Sequence, residues 1–390
     1  MHNACIKIGR YILTFGVFSA LLLTAFRTAA AQTENILYSF GGQSGDGDYP
    51  LSTLVKDKKG NLYGTTWGGG ANGTGTVFKL SPSGTETVLH SFCTSLYACP
   101  DGANPESGVI LDTAGNLYGT TSLGGPYGAG TVYQVTPSGT ETLLYSFTGG
   151  ADGARPYAGV VLDKAGNLYG TTTGGGANGA GTVFQLTSSG GLTVLHTFAG
   201  PDGNDPNGGV ILDSKGNLYG TTVAGGAHGY GTVYKLSPGG TETVLYSFTG
   251  GADGGVPARG LVLKKGYLYG TTTNGYGTVF KVSLSGKATV LYSFTGAGDG
   301  GLPTSEVIFD KNGNLYSTTY MGGLYNEGTV FELTPTGTET ALYSFGSQSG
   351  DGALPDAGLA FDKKGNLYGT TLRGGLGGVN GGGIVFKVVP

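Results

Sequence analysis

The sequence predicts an all-β fold: a seven-bladed β-propeller with four antiparallel strands per blade. Three observations predict it. The phrase Leu-Tyr-Gly-Thr-Thr recurs with its tyrosine at Tyr63, Tyr118, Tyr169, Tyr219, Tyr269, Tyr316 and Tyr368, the sixth copy reading Leu-Tyr-Ser-Thr-Thr. Successive copies stand about 50 residues apart, the period of a four-stranded unit that cannot bury both faces alone. Composition agrees. Glycine makes up 80 of 390 residues without a Gly-X-Y period, which excludes collagen, and aromatics, 11% of the chain, recur at fixed places, which argues against disorder. The ends also match. The pattern starts at Ile36-Leu37-Tyr38-Ser39-Phe40, a fourth-strand sequence with no blade before it, and stops at Ile384-Val385-Phe386-Lys387-Val388, a third strand with no fourth after it. The N-terminal strand therefore closes the last blade, which removes two sheet edges open to aggregation.

The third repeat justifies each element in turn. Gly159-Val160-Val161-Leu162-Asp163 reads as an apolar first strand, and Asp163-Lys164-Ala165-Gly166-Asn167 as a hairpin turn with glycine at the positive-φ position. Leu168-Tyr169-Gly170-Thr171-Thr172 is the second strand, followed by a glycine-rich loop, Gly174 to Ala180. Thr182-Val183-Phe184-Gln185-Leu186 is the third strand. After a turn at Ser188-Ser189-Gly190-Gly191, Thr193-Val194-Leu195-His196-Thr197-Phe198 alternates as the fourth. Short links make the sheet antiparallel. After residue 31 no long segment carries a 3.6-residue apolar period, so helices are not expected.

Residues 1–31 differ in kind. Lys7 and Arg10 precede an apolar run from Tyr11 to Phe26, and Ala29-Ala30-Ala31 follows. That is the pattern of a cleaved signal peptide, and the run is short of the roughly 20 residues a membrane span needs. The domain organisation expected is a signal peptide at 1–31 and a single propeller at 32–390, with no membrane span in the mature chain. Cleavage removes Lys7, Arg10 and Arg27 and no acidic residue, so the formal charge of −4 becomes −7. An acidic chain without clustered Lys and Arg excludes nucleic acid as a partner. The two mature cysteines, Cys93 and Cys99, lie in a loop peculiar to the first full repeat, and an exported protein can join them as a disulfide. The expected location is extracellular or cell-surface, with the periplasm as the variant, and the expected state a monomer.

The run Ser-Phe-x-Gly-Gly-x-Asp-Gly-x-x-Pro, then Gly-Val-x-Leu-Asp-x-x-Gly-Asn-Leu-Tyr-Gly-Thr-Thr, then Gly-Gly-x-x-Gly-x-Gly-Thr-Val-Phe-Lys-Leu resembles the GloVer (Gloeobacter/Verrucomicrobia-type) tandem repeat of bacterial surface and secreted proteins, the choice-of-anchor repeat proteins, over residues 36–389. The resemblance implies a propeller, export and often a C-terminal sorting anchor. It implies no established activity and supplies no catalytic residue. No apolar tail follows Val388, so release is expected in place of anchoring.

Two elements share one face of such a propeller: the Asp-Gly-x-x-Pro turns that enter each blade and the loops between second and third strands. The turn aspartates Asp46, Asp101, Asp152, Asp202, Asp253, Asp299 and Asp351 admit two readings. A carboxylate ring, helped by Asp48, Asn104, Asn204 and Asp205, could hold Ca²⁺, which takes several hard oxygens. Asp-Gly before Pro is also ordinary turn chemistry, and its presence in all seven blades favours that reading, so no cofactor is expected. The glycine-rich loops do not fit phosphate cradles, because strands and not helices follow them. His90 and His196 replace the tyrosine of Leu-Tyr-Ser-Phe and read as half-buried strand residues, while the Thr-Thr pairs read as β-formers and hydrogen-bond ladders.

A single ligand breaks sevenfold symmetry, so residues that depart from the repeat are the candidate binding set: Trp67, Tyr127, Arg155, His228, Tyr230, Arg259, Tyr276, Tyr320, Tyr325, Glu327 and Arg373. Aromatics and arginines anchor binding surfaces, and aromatic rings beside polar groups suit sugars. The function expected is a binding module for polysaccharide or an extracellular protein. The alternatives are a glycan-active hydrolase or lyase, or a Ca²⁺-assisted lactonase-like hydrolase, with Asp46, Asp202 and Glu327 as first acids, or a structural surface-assembly protein.

Overall fold

The computed structural model describes residues 34–93, 99–257 and 259–390. The expected leader at 1–31 lies outside the described residues. Seven four-stranded antiparallel sheets follow one another as blades 1 to 7. Blade 3 is typical, with Val161–Leu162 innermost, then Leu168–Thr172, Thr182–Leu186 and Leu192–Thr197 outermost. Blade 7 takes three strands from the C-terminal end, Ala360–Phe361, Leu367–Thr371 and Ile384–Val388, and its outer strand, Glu34–Ser39, from the N-terminal end. The closure expected from the two incomplete ends is the closure observed.

The innermost strand is shorter than expected. Where Gly159–Asp163 reads as a strand, only Val161 and Leu162 pair with the second strand. The residues before them serve the neighbouring blade instead. Thr120 Oγ1 of blade 2 donates to the Ala158 carbonyl at 2.8 Å, and Val160 packs with Val132 and Phe147 of blade 2.

This bond recurs at all seven seams. The first threonine of each Leu-Tyr-Gly-Thr-Thr (Leu-Tyr-Ser-Thr-Thr in blade 6) donates to the backbone of the next blade, from Thr65 to Ser107 O at 2.8 Å round to Thr370 and Ser52 O at 3.2 Å. In six blades the second threonine meets the threonine that opens the third strand, as at Thr172 and Thr182, 2.8 Å apart, and in blade 7 Thr371 Oγ1 accepts from Ile384 N instead. The Thr-Thr pairs are thus the hydrogen-bond ladders expected of them.

The apolar core lies between blades. Each seam pairs a phenylalanine just past one outer strand with an aromatic ring on the next blade's third strand, edge to face. Phe147 with Phe184 at 5.2 Å is typical, and Phe345 with Phe386 and Phe40 with Phe78, both at 5.0 Å, flank the closing blade. Such pairs add about 1 kcal/mol beyond the area they bury.

The residue before each blade proline carries the link between neighbouring loops. Tyr49, Asn104, Arg155, Asp205, Val256, Leu302 and Leu354 all sit at φ between 53° and 59°. Each donates its N–H to the preceding blade's loop, as Arg155 does to Ala129 O and Val256 to Tyr230 O, both at 2.8 Å. Each carbonyl accepts from the residue after the second strand of its own blade, as Tyr49 does from Trp67 at 3.0 Å. These two bonds hold a conformation that side-chain-bearing residues disfavour by about 1–2 kcal/mol.

Candidate functional site

The seven inner strands enclose an axial cavity of about 240 Å³. The entering turns and the loops after the second strands are bridged to each other, as at Gly47 with Gly69 and Asn204 with Ala224, so they form one face around its mouth. On that face the blades differ most just past the proline. The next residue is Leu51, Glu106, Tyr157, Asn207, Ala258, Thr304 or Asp356, a different residue type in every blade.

Four charged side chains line the cavity: Glu106, Arg259, Glu306 and Asp356. The Arg259 backbone is held from blade 4, where Thr221 Oγ1 donates to its carbonyl at 3.1 Å. Its side chain reaches the next two blades. Nε donates to Thr304 O at 2.7 Å, and Nη2 pairs with Asp356 Oδ2 at 3.0 Å. Glu306 stands where five blades have glycine, and the neighbouring Gly260 leaves it room, since a Cβ there would fall 3.1 Å from the Glu306 carboxyl carbon. Protein surrounds Glu306, and its side chain is exposed to the lumen. Glu106 Oε1 accepts from Ser122 Oγ at 2.9 Å.

Electrostatics follow from this packing. Burial pushes the Glu306 carboxyl above its ordinary range, and the Arg259 guanidinium offsets part of that rise. Burial raises Glu106 as well, against hydrogen bonds from Ser122 and the Trp67 indole and the charge of Arg259. Arg259 is pushed up, chiefly by Asp356 and further by Glu306 and Glu106. One cation therefore faces three carboxylates. Asp356 Oδ1 and Thr304 Oγ1 are buried with no hydrogen-bond partner among the described residues.

The structure divides the residues singled out in the sequence. Arg259 lines the cavity, Trp67 is exposed at the rim and touches Glu106, and Tyr320 lies within electrostatic reach of Asp356 and Arg373. Arg155 is exposed beside Tyr157 and Asp205. The others sit further out. Tyr230 covers Gly250 and Tyr276 covers Gly296, glycines that follow the outer strands, while Tyr325 and Glu327 lie against Gly346. Tyr127 lies near Tyr145 of an outer strand, and His228 is exposed in its loop. These do not converge with the axial group.

The turn aspartates are not gathered into one site. Each is held at its own seam by an outer-strand aromatic: Asp46 by Tyr38, Asp101 by His90, Asp152 by Tyr145, Asp202 by His196, Asp253 by Tyr246, Asp299 by Tyr292 and Asp351 by Tyr343, at 2.8–3.1 Å. Most also accept a backbone N–H of their own turn, as Asp202 does from Ala199 at 2.8 Å. Among the described residues no three His, Cys, Asp or Glu side chains converge to hold a metal ion. Asp46, Asp202 and Glu327, the first acids of the hydrolase alternative, belong to three separate seams. Cys93 and Cys99 are joined as a disulfide.

Sequence reasoning missed Glu106, Glu306 and Asp356. The signal was present in the variable residue after each proline and in the one glutamate that interrupts a column of small residues.

The profile of the Gloeobacter/Verrucomicrobia repeat matches residues 93–276 and 272–390. No curated protein matches the sequence. Among solved structures, the extracellular domain of a protein named as a one-component system of B. thetaiotaomicron is similar at 11% identity and a TM-score of 0.56, over 91% of this chain and 40% of that one. A gluconolactonase of Xanthomonas campestris is 14% identical over 74% of this chain and 87% of its own, with a TM-score of 0.45. Another protein named as a gluconolactonase is 13% identical over 92% of both chains, also at 0.45. At these identities the likeness extends to the fold alone.

Proposed function

We propose that this chain, which belongs to the Gloeobacter/Verrucomicrobia repeat family, is an exported binding module that holds a polysaccharide over the axial mouth of its propeller. One observation carries the reading: nearly identical blades stop being alike where Glu106, Arg259, Glu306 and Asp356 meet in a cavity open to solvent. Structural upkeep of a repeat does not require four charges in a lumen. Carboxylates and a guanidinium are the groups that hydrogen-bond sugar hydroxyls, and Trp67 and Tyr320 offer ring faces to sugar C–H groups nearby. The mechanism is shape and stacking on a rigid ring, without bond chemistry.

Export is supported by the basic, apolar and small-residue order of residues 1–31 and by the Cys93–Cys99 disulfide, a bond that persists in oxidising compartments.

The test expresses the full chain, purifies the exported form and follows its thermal unfolding against soluble glycans. A ligand of the folded state raises the midpoint by linkage. The reading expects at least one glycan to do so, and Trp67→Ala to weaken it about tenfold while leaving the unliganded midpoint near its original value. A midpoint unmoved by every glycan, with a protein partner recovered at the same face, would replace polysaccharide with protein as the ligand class.

A further inference from the structure

Antiparallel order puts the inner hairpins, and the turns between third and outer strands, at the end of the ring opposite the axial mouth. Among the described residues every exposed lysine stands on those hairpins and turns, whereas Arg155 and Arg373 are exposed at the mouth. Blade 5 departs furthest from the repeat at the lysine-bearing end, and in one direction. Lys264 stands where the other blades have the hairpin aspartate, and Tyr267 where they have asparagine. Leu284, Lys287 and Ala288 replace the proline, threonine and glutamate of blades 1, 2, 4 and 6. Each change removes an acid, adds a cation or adds apolar surface. No acidic residue lies between Asp253 and Asp299.

These changes meet in space. Tyr267 pairs with Lys264 on one side and with Ser283 on the other, and Leu284 N donates to Gly266 O at 3.4 Å, which joins the two hairpin tips. Lys281 Nζ lies 5.1 Å from the centre of the Tyr267 ring. Tyr267 and Leu284 are each 39% exposed, and Lys265 and Lys287 are exposed beside them. Asp310 of blade 6 is within electrostatic reach of Lys264, but none of these lysines is in an ion pair among the described residues.

We propose that the hairpin end of blade 5 docks the protein on an anionic lipid surface. Lysines are compact, hydrated charges that attract phosphate headgroups without demanding a fixed geometry. Tyrosine and leucine between them suit the boundary beneath the headgroups, where a ring with a polar tip and an apolar side chain both gain. A soluble polyanion would use the lysines and gain nothing from Leu284. Orientation follows from charge. The turn aspartates and the axial carboxylates lie at the other end, so the same surface repels the mouth and leaves it open to solvent. The proposal does not depend on what the mouth binds.

The experiment is cosedimentation of the exported protein with vesicles of equimolar phosphatidylcholine and phosphatidylglycerol, against vesicles of phosphatidylcholine alone. Binding is expected to be at least about tenfold tighter to the anionic vesicles and to be lost as salt reaches about 0.5 M. Lys265→Gln combined with Lys287→Gln should weaken it about twentyfold, roughly fivefold per charge. Leu284→Ser should weaken it about tenfold by removing buried apolar surface. Lys58→Gln with Lys59→Gln takes the same charge from blade 1, nearly across the ring, and should weaken binding by no more than about twofold. The unfolding midpoint of each variant confirms that it is folded. Binding no tighter to anionic than to neutral vesicles, or equal losses from the blade 1 and blade 5 lysine pairs, overturns the site. Vesicle binding unmoved by Leu284→Ser, with equal affinity for soluble polyphosphate, overturns the lipid reading and assigns the site to a soluble polyanion.

Discussion

The Asp213 carboxylate accepts four hydrogen bonds inside its own hairpin: from Lys215 N, Asn217 N and Asn217 Nδ2, each at 2.8 Å, and from the Tyr219 hydroxyl at 3.2 Å. Asp57, Asp112, Asp163 and Asp362 repeat the arrangement, which explains why Asp-x-x-Gly-Asn-Leu-Tyr recurs as a phrase. Burial pushes these carboxyls up, but the hydrogen bonds from the asparagine, the turn and the tyrosine outweigh it and hold them low, Asp362 at about 2. A depressed folded-state pKa means stability that is present above the ordinary value of 3.8 and lost as pH falls through the folded one. Asp213→Ala should therefore cost about 2 kcal/mol in urea unfolding at pH 7, and the difference from the parent should shrink as the pH falls from about 4 towards 2. A loss that did not change over that range would show that the turn, and not the charge, carries the stability. Blade 5 has no aspartate here and turns more tightly, by a two-residue hairpin between Lys264 and Tyr267 with Lys265 at φ 50° and Gly266 at φ 79°.

At the scale of the element, the glutamates that open outer strands stand within electrostatic reach of the turn that enters their own blade. Five outer strands start with glutamate, Glu34, Glu86, Glu141, Glu242 and Glu339, and in all five Oε1 is buried without a hydrogen-bond partner among the described residues. Burial raises these carboxyls, and a turn aspartate adds to the rise: Glu86 and Glu242 to about 7 beside Asp46 and Asp202, Glu339 to about 7 beside Asp299, and Glu34 to about 9 beside Asp351. At Glu141 the nearby His90 opposes the rise. A raised folded-state pKa means stability that is complete below the ordinary value of 4.5 and lost as pH climbs through 7 to 9. The propeller should accordingly be most stable in mild acid, above the range where the hairpin aspartates take up protons. Glu86→Gln should raise the unfolding midpoint at pH 8 and leave it nearly unchanged at pH 5. Equal shifts at both values would mean that its carboxylate does not face Asp46 as described. Blades 3 and 5, which carry Leu192 and Ala288 at this position, have no such carboxylate to titrate.

For the whole molecule, stability depends on closing the ring. The Glu34–Ser39 strand pairs with Ile384–Val388 and leads into Phe40, which is 1% exposed and packs with Phe78 of blade 1. Thr370 to Ser52 O fastens the same seam at the axis. Phe40→Ala should cost about 3–5 kcal/mol, the range for a buried phenylalanine, and should make cleavage near residue 40 the first event in limited proteolysis. Phe198→Ala, an equally buried ring at a seam of continuous chain, should lose similar stability without localising cleavage at the N-terminal strand. First cleavage at the same place in both variants would mean that the closing strand is no more separable than any other.

The sequence by itself determined the number of blades, the second, third and outer strands, and the closure, because all of these rest on turns and alternation that act within about 50 residues. It overextended the innermost strand, because the residues ahead of it serve the preceding blade. It also located Trp67, Arg259 and Tyr320 by their departure from the repeat. Only the tertiary structure decided which departures meet. Glu106, Arg259, Glu306 and Asp356 belong to four blades, and no local pattern links them. They converge because a closed ring brings the short segment just past every blade proline to one axis, where side chains that depart from the repeat face the lumen the blades share.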